Sequence, residues 1–305
     1  MNTSSYSNRQ TVSFLRRRFQ EVGLRPDTRH GQNFLVDLNL VELLARTADL
    51  GARDVVLEVG TGTGALTLRL ARQAAVVVTV EISAELHQLA REELFDLDNV
   101  IMLQQDALRN KNNIDPQVIE VIQQQLAAAP RRRLKLAANL PYNIATPIIS
   151  NLLTWPAGPV SMTVTIQKEL AERITARPGS KDYSALSVWV QSQCDVEIVR
   201  ILPPSVFWPR PKVHSAILHL VVDPRRRAGI ADPRFFHGFV RSLFIHRRKY
   251  LRSGVLSGFR KSLEKAELDS ILSQLGYGSD ARAEQLEVAE ILALSDAVQQ
   301  IVQKK

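Results

Sequence analysis

A single cysteine, Cys194, occurs in the 305 residues, so neither an intrachain disulfide nor a multi-cysteine zinc site can form. Histidine is also scarce: the six are scattered, with none of the i, i+4 spacing of a helical metal-ligand pair, and no metal site is expected. Long apolar runs are missing. Stretches such as Ala74 to Val78 and Ile291 to Leu294 fall far short of the ~20 residues of a membrane helix. No apolar core follows the Ser- and Arg-rich N-terminus, which excludes a secretory signal. These absences predict a soluble cytoplasmic protein with no membrane partner. Acid is in deficit: 31 Asp and Glu face 39 Lys and Arg, a net charge of +8. That balance favours a polyanionic partner without naming it. With 45% hydrophobic and 23% charged residues the chain is otherwise of globular composition, which removes disordered and fibrous classes.

Short β-branched runs alternate with helical patterns through the middle of the chain. Strands are predicted at Val55–Val59, Val76–Glu81, Val100–Gln104, Leu134–Ala138, Met162–Ile166, Glu197–Ile201 and Ser215–Val222, with helices over Ala65–Ala74 and Ala84–Leu94. Alternation at this spacing predicts an α/β fold with a doubly wound, mostly parallel seven-stranded sheet. Beyond Asp223-Pro224-Arg225 the β-branched runs stop and a small helical domain is expected. The predicted division is a basic N-terminal arm over 1–27, with a short helix around Val12–Val22, a sheet domain over 28–223 and a helical domain over 224–305.

Glu58-Val59-Gly60-Thr61-Gly62-Thr63-Gly64 ends the first strand and opens a helix, where glycines let the backbone approach a ligand and the helix start offers unpaired N–H groups. Glu81 ends the second strand, where an acid commonly takes ribose hydroxyls. Asp106 follows the third and can accept from an adenine amino group. With Ala65 the loop also satisfies G-x-G-x-x-A, so a nicotinamide dinucleotide enzyme stays open at this point, as does a purely structural turn. Acids at the ends of three successive strands outline a nucleoside, and Glu58 is placed either to brace the loop or to meet an ammonium group. A methionine-derived tail beside Glu58 would make the ligand S-adenosylmethionine.

Asn139-Leu140-Pro141-Tyr142 follows the fourth strand and decides the chemistry. An exocyclic amino nitrogen is a poor nucleophile because its lone pair is delocalised into the ring. Two acceptors, the Asn139 side-chain oxygen and the Leu140 carbonyl, can take both N–H groups and favour a pyramidal nitrogen. Pro141 restricts Leu140 to extended geometry and so aims its carbonyl. Tyr142 can stack on the base, a contact worth about 1–3 kcal/mol.

These segments, with Gly31-Gln32-Asn33-Phe34-Leu35, Gln167-Lys168-Glu169, Phe207-Trp208-Pro209-Arg210-Pro211-Lys212-Val213 and Arg282-Ala283-Glu284, resemble the ribosomal RNA adenine dimethyltransferases of the KsgA type. The resemblance spans nearly the whole chain from about residue 28. It implies a Rossmann-like methyltransferase sheet and dimethylation of the N6 amino groups of two adjacent adenosines near the 3′ end of small-subunit rRNA, with S-adenosylmethionine as cofactor. The implied partner is the immature small ribosomal subunit, met by a monomer. Gln32, Asn33, Leu35, Glu58, Gly60, Gly62, Gly64, Glu81, Asp106 and Asn139 would bind the cofactor. Asn139, Leu140, Pro141 and Tyr142 would present the base, with Phe207 as its second stacking face; the alternatives are packing for Leu35 and a loop anchor for Phe207. Arg131, Arg132, Arg133, Arg247, Arg248 and Lys249 would hold RNA phosphates, which position without reading sequence. The chain departs from the family pattern at His30, His214, Ala138 and a long segment from Leu108 to Arg133. None removes a group that the chemistry needs.

Two rivals stand ahead of the nicotinamide dinucleotide enzyme, in which Asn139-Leu140-Pro141-Tyr142 has no role. One is a methyltransferase of the same superfamily acting on a large-subunit rRNA adenosine; the other is a non-catalytic RNA-binding or assembly factor that keeps the fold.

Overall fold

The computed structural model describes residues 10–24, 26, 32–245, 247, 249–260 and 262–304. They group into two compact units, Met1–Ala171 with Glu197–Val221, and Glu172–Val196 with Val222–Lys305. His30, Gly31 and Arg248 lie outside the described residues, as does the start of the N-terminal arm.

The first unit is built on a seven-stranded sheet. Its strands are β2 (Asp54–Val59), β3 (Val76–Glu81), β4 (Val100–Gln104), β7 (Arg133–Asn139), β8 (Ser161–Gln167), β9 (Cys194–Leu202) and β11 (Ser215–Val222). Two small ladders accompany it, β1 (Phe34–Leu35) with β10 (Phe207–Trp208) and β5 (Leu108–Asn110) with β6 (Asn113–Ile114). The sheet order is β4-β3-β2-β7-β8-β11-β9; the first five pair in parallel and β11 runs antiparallel to β8. Every residue of β2 and β3 is buried, as expected of parallel strands covered on both faces, and their Val-rich sequences fit that environment. All seven strands fall where the β-branched runs predict them, and β3, β4 and β11 have the predicted bounds.

Helices α1 (Val12–Glu21), α2 (Leu38–Thr47), α3 (Thr67–Ala71), α4 (Ala84–Glu93), α5 (Pro116–Ala127) and α6 (Ala145–Thr154) belong to this unit, and α7 (Lys168–Ile174) runs across the boundary. Side-chain caps start several of them: Asp37 accepts from Asn39 N–H, Ser83 from Leu86 N–H and Asp115 from Gln117 N–H. The helix α3 is shorter than the predicted 65–74 because the turn after the glycine loop continues to Leu66, which makes no side-chain cap. Leu44, Val56, Leu70, Val77, Ala137 and Ile217 form the core on one sheet face. The strand order reverses between β2 and β7, so the crevice at their carboxyl ends is the expected ligand position of an open α/β sheet.

The second unit contains α8 (Ala185–Gln191), α9 (Pro224–Ala228), α10 (Pro233–Ile245), α11 (Leu251–Phe259), α12 (Lys265–Gln274) and α13 (Val288–Val302). The sequence reading put Glu172–Val196 in the sheet domain, whereas these residues group with the helices. The cause is α8: Trp189 is 1% exposed, with its ring 6.1 Å from Phe236 and 4.6 Å from His237 on α10.

Candidate active site

The β2–β3 ladder runs one residue into the glycine loop, with the Gly60 N–H donating to Val80 O at 2.8 Å. Gly60 has φ +87°, a backbone conformation that favours glycine, and a Cβ there would touch Pro141 Cδ at 3.4 Å. The glycine loop and the Asn139–Tyr142 turn therefore abut. Gly62, at φ +57°, faces the Phe34 ring, while Gly64 packs against Leu94 and does not line the cleft.

Two buried carboxylates fix this loop. Glu81 Oε2 accepts from Gly62 N–H at 2.9 Å and Oε1 from Ser83 N–H at 3.0 Å. Burial pushes its carboxyl above the ordinary range. Glu58 is 1% exposed and accepts from the hydroxyls of Thr67 at 2.6 Å and Thr79 at 2.8 Å; burial pushes it up to about 8 against those bonds. Thr61 extends the network through a 2.6 Å contact with Thr79. Asp106 is exposed at the end of the third strand's loop, with Oδ1 accepting from Leu108 N–H at 2.9 Å. Gln32, Asn33, Leu35, Glu58, Gly60, Gly62, Glu81, Asp106, Asn139 and Pro141 all line one cleft of about 280 Å³.

At the end of β7, Asn139 Nδ2 donates to the Asn33 carbonyl at 2.9 Å. That bond leaves the side-chain oxygen as an acceptor. Leu140 N–H donates to Thr165 O at 3.1 Å, which continues the β7–β8 ladder and holds the peptide before Pro141; its side chain is buried. Tyr142 is half-buried and its hydroxyl meets Ser215 Oγ at 2.5 Å, tying the turn to the start of β11.

One expectation needs correction, and two basic clusters prove to be partly tied to the fold. Phe207 is 3% exposed in the core cluster with Leu35 and Leu202, paired across β10 and β1, so it has no free face for a base. The Arg131–Arg133 cluster sits at the start of β7, six residues or about 20 Å of strand from Asn139. There Arg133 Nε donates to buried Asp54 at 2.6 Å and Arg132 donates to the Gln125 carbonyl at 2.7 Å, which leaves only Arg131 exposed without such a bond. In the second unit, Arg247 bonds Glu284 at 2.8 Å and the Lys181 carbonyl at 2.7 Å; Lys249 is exposed. Both arginine clusters are thus partly consumed by structure. The sequence reading missed Gln10, Thr63 and Ile82, which line the cleft, and Ser215, which anchors Tyr142.

Residues 24–300 match the family model described as ribosomal RNA adenine dimethylase. The chain belongs to that family. It is 39% identical to the ribosomal RNA small subunit methyltransferase A of Moorella thermoacetica, over 92% of this chain and 95% of the relative. The same protein of Lactiplantibacillus plantarum is 39% identical over 91% of this chain and 92% of its own length. Among solved structures, a dimethyladenosine transferase from Plasmodium falciparum superposes with a TM-score of 0.71 at 24% identity, covering 85% of this chain and 94% of the other. The 23S rRNA methyltransferase ErmE superposes at 0.61 with 26% identity, covering 88% and 100%.

As a ribosomal RNA adenine dimethylase the chain is an S-adenosylmethionine-dependent methyltransferase, and its cleft fits that cofactor. Glu58, Glu81 and Asp106 are the acidic side chains among the described residues that line it, and no Lys or Arg does. A cleft of that sign suits a sulfonium and an ammonium group and opposes the diphosphate of a dinucleotide. The antiparallel β11, inserted between β8 and β9, also departs from the 3-2-1-4-5-6 order of dinucleotide-binding sheets. Among the described residues no helix is long and apolar enough to cross a membrane.

Proposed function

We propose that the chain transfers methyl groups to the N6 amino groups of two adjacent adenosines near the 3′ end of small-subunit rRNA, acting as a monomer on the immature small ribosomal subunit in the cytoplasm. The observation that carries this is Asn139 on an acid-lined cleft, with its amide nitrogen bonded to Asn33 so that its oxygen is left to accept; the carbonyl of Leu140, next in the chain, is the second acceptor of this reading.

In this reading Glu81 takes the ribose hydroxyls, Asp106 the adenine amino group, and Glu58 the positive end of the methionine moiety. Gln32, Asn33, Leu35, Gly60 and Gly62 form the walls. When bound, S-adenosylmethionine supplies an electrophilic methyl group on a sulfonium. Asn139 Oδ1 and the Leu140 carbonyl accept the two N–H groups of the target adenine and draw its nitrogen out of conjugation. As positive charge grows on that nitrogen, the same fixed dipoles stabilise it without a strong base. Tyr142, braced by Ser215, offers a ring face to the base, which must be unstacked to enter. Phosphate contacts fall to exposed basic side chains of the first unit, Arg16, Arg17, Arg131, Arg210 and Lys212, and to Lys249 in the second.

The second reading is a large-subunit adenosine, favoured by the likeness to ErmE. Methyl transfer from labelled S-adenosylmethionine to undermodified small-subunit particles and, in parallel, to large-subunit RNA separates the two after nucleoside analysis. Dimethyladenosine in the small-subunit sample alone is expected, with Asn139→Ala slowing transfer by about 10²-fold or more. Label confined to large-subunit RNA would move the target, and near-normal turnover in Asn139→Ala would remove the acceptor pair.

A further inference from the structure

One wall of the cleft comes from the chain ahead of the sheet. Gln10 is 8% exposed and lines the cleft beside Thr63 of the glycine loop. Its Nε2 donates to Thr63 Oγ1 at 2.9 Å, and the Thr63 hydroxyl donates back to Oε1 at 3.2 Å. Glu81 holds the preceding residue, Gly62, through its N–H. The loop is therefore gripped at adjacent residues, by a carboxylate on one and an amide on the next.

Helix α1 holds Gln10 in place. Thr11 caps it by accepting from Phe14 N–H at 3.3 Å. Leu15 and Phe19 are buried in a cluster with Phe34, Leu86 and Leu89. Phe19 meets Phe34 edge-on at 5.1 Å, and Arg18 pairs with Glu92 of α4 at 2.9 Å. Phe34 is in turn the ring that a Cβ on Gly62 would approach to 3.3 Å. The helix thus reaches the glycine loop by two routes, polar through Thr63 and apolar through Phe34.

We propose that Gln10, held at the start of α1, is a working wall of the S-adenosylmethionine site, where it positions the glycine loop and contacts the cofactor. This rests on the reading of the cleft as the donor site. An amide has two N–H donors and two acceptor lone pairs; the ring with Thr63 uses one of each and leaves one of each at the cleft wall. Burial of those groups is costly until a polar ligand meets them. A basic tail with no part in catalysis would need none of this arrangement.

Calorimetric titration of the full chain with S-adenosylmethionine tests the proposal, alongside thermal unfolding with and without the cofactor. Gln10→Ala and Thr63→Val should each weaken binding by about five- to tenfold, the effect of losing one or two hydrogen bonds. The double variant should be little weaker than either single one, because both remove the same ring. Thr63→Ser, which keeps the hydroxyl, should bind within about twofold of the parent, and Gln20→Ala on the exposed face of α1 should match it. In turnover, KM for the cofactor should rise by more than kcat falls, and the Tm increment caused by cofactor should shrink. A lowered ligand-free Tm with unchanged affinity and KM would reduce α1 to a structural strap and overturn the proposal. Fully additive losses would overturn the role of the Gln10–Thr63 ring. Failure of the parent chain itself to bind S-adenosylmethionine would instead refute the assignment of the cleft.

Discussion

Glu58→Gln asks whether a buried carboxylate recognises the charge of the methyl donor. Without ligand, burial holds the Glu58 carboxyl at about 8, while the Thr67 and Thr79 hydroxyls pull it down. At pH 7 the folded chain then keeps a proton that the unfolded chain has released. The ligand-free fold consequently loses stability as pH rises from the ordinary carboxylate range towards 8, by at most about 1.4 kcal/mol per pH unit. A cationic ligand reverses this preference, since an opposite charge nearby lowers a carboxyl pKa by roughly 1–3 units. Binding between about pH 6 and 8 should expel a proton from Glu58, and affinity should climb with pH by up to about tenfold per unit before levelling above 8. Calorimetry at pH 7 in buffers of different ionisation enthalpy would read that proton directly. The glutamine variant copies the shape and neutrality of the protonated acid, so it should fold. It should also bind several-fold more weakly at pH 8 and lose most of the pH slope, any remainder belonging to Glu81, which burial also pushes up. Equal slopes in parent and variant would refute the reasoning.

Tyr142→Phe keeps the ring but leaves Ser215, which is 0% exposed, without its hydroxyl partner; it should cost about 1–3 kcal/mol in urea unfolding with RNA affinity little changed, whereas Tyr142→Ala should also weaken RNA binding. Asp54 accepts from Arg133, from Gly51 N–H at 2.8 Å and lies 3.2 Å from buried Lys135, so Asp54→Ala strands a buried cation and should cost about 3–5 kcal/mol. Arg133→Ala should destabilise by less and leave the salt dependence of RNA binding unchanged; a flattened salt slope in that variant would return Arg133 to the RNA surface.

The central strands β2 and β3 were legible because parallel, doubly covered strands must be apolar throughout, and runs such as Val76-Val77-Val78 have no other plausible place. The ladder of β1 with β10 was not. Two residues carry no periodicity, and the partners lie more than 170 residues apart. Its consequence was large, since pairing Leu35 with Phe207 buries the aromatic ring that an isolated Phe-Trp-Pro segment would appear to offer to a base. The same limit governs α8: Trp189 marks it as buried, but only its contact with Phe236 and His237 on α10 assigns it to the helical unit.

Within the site, what could be read was what is contiguous. The glycine loop and the Asn139–Tyr142 turn each carry their chemistry in a few successive residues, and strand order brings them to the same sheet edge. Charge carried no comparable signal. Arg133 and a phosphate-binding arginine look alike in sequence; only the register that sets Arg133 beside Asp54 distinguishes them. Gln10 is the converse case, an uncharged residue in a basic segment whose partner Thr63 lies 53 positions away. A run of positive charge therefore describes the electrostatic character of this chain without separating the arginines that are tied to the fold from those left exposed. The side chains that face the ligand are set by hydrogen bonds and register that local sequence does not encode.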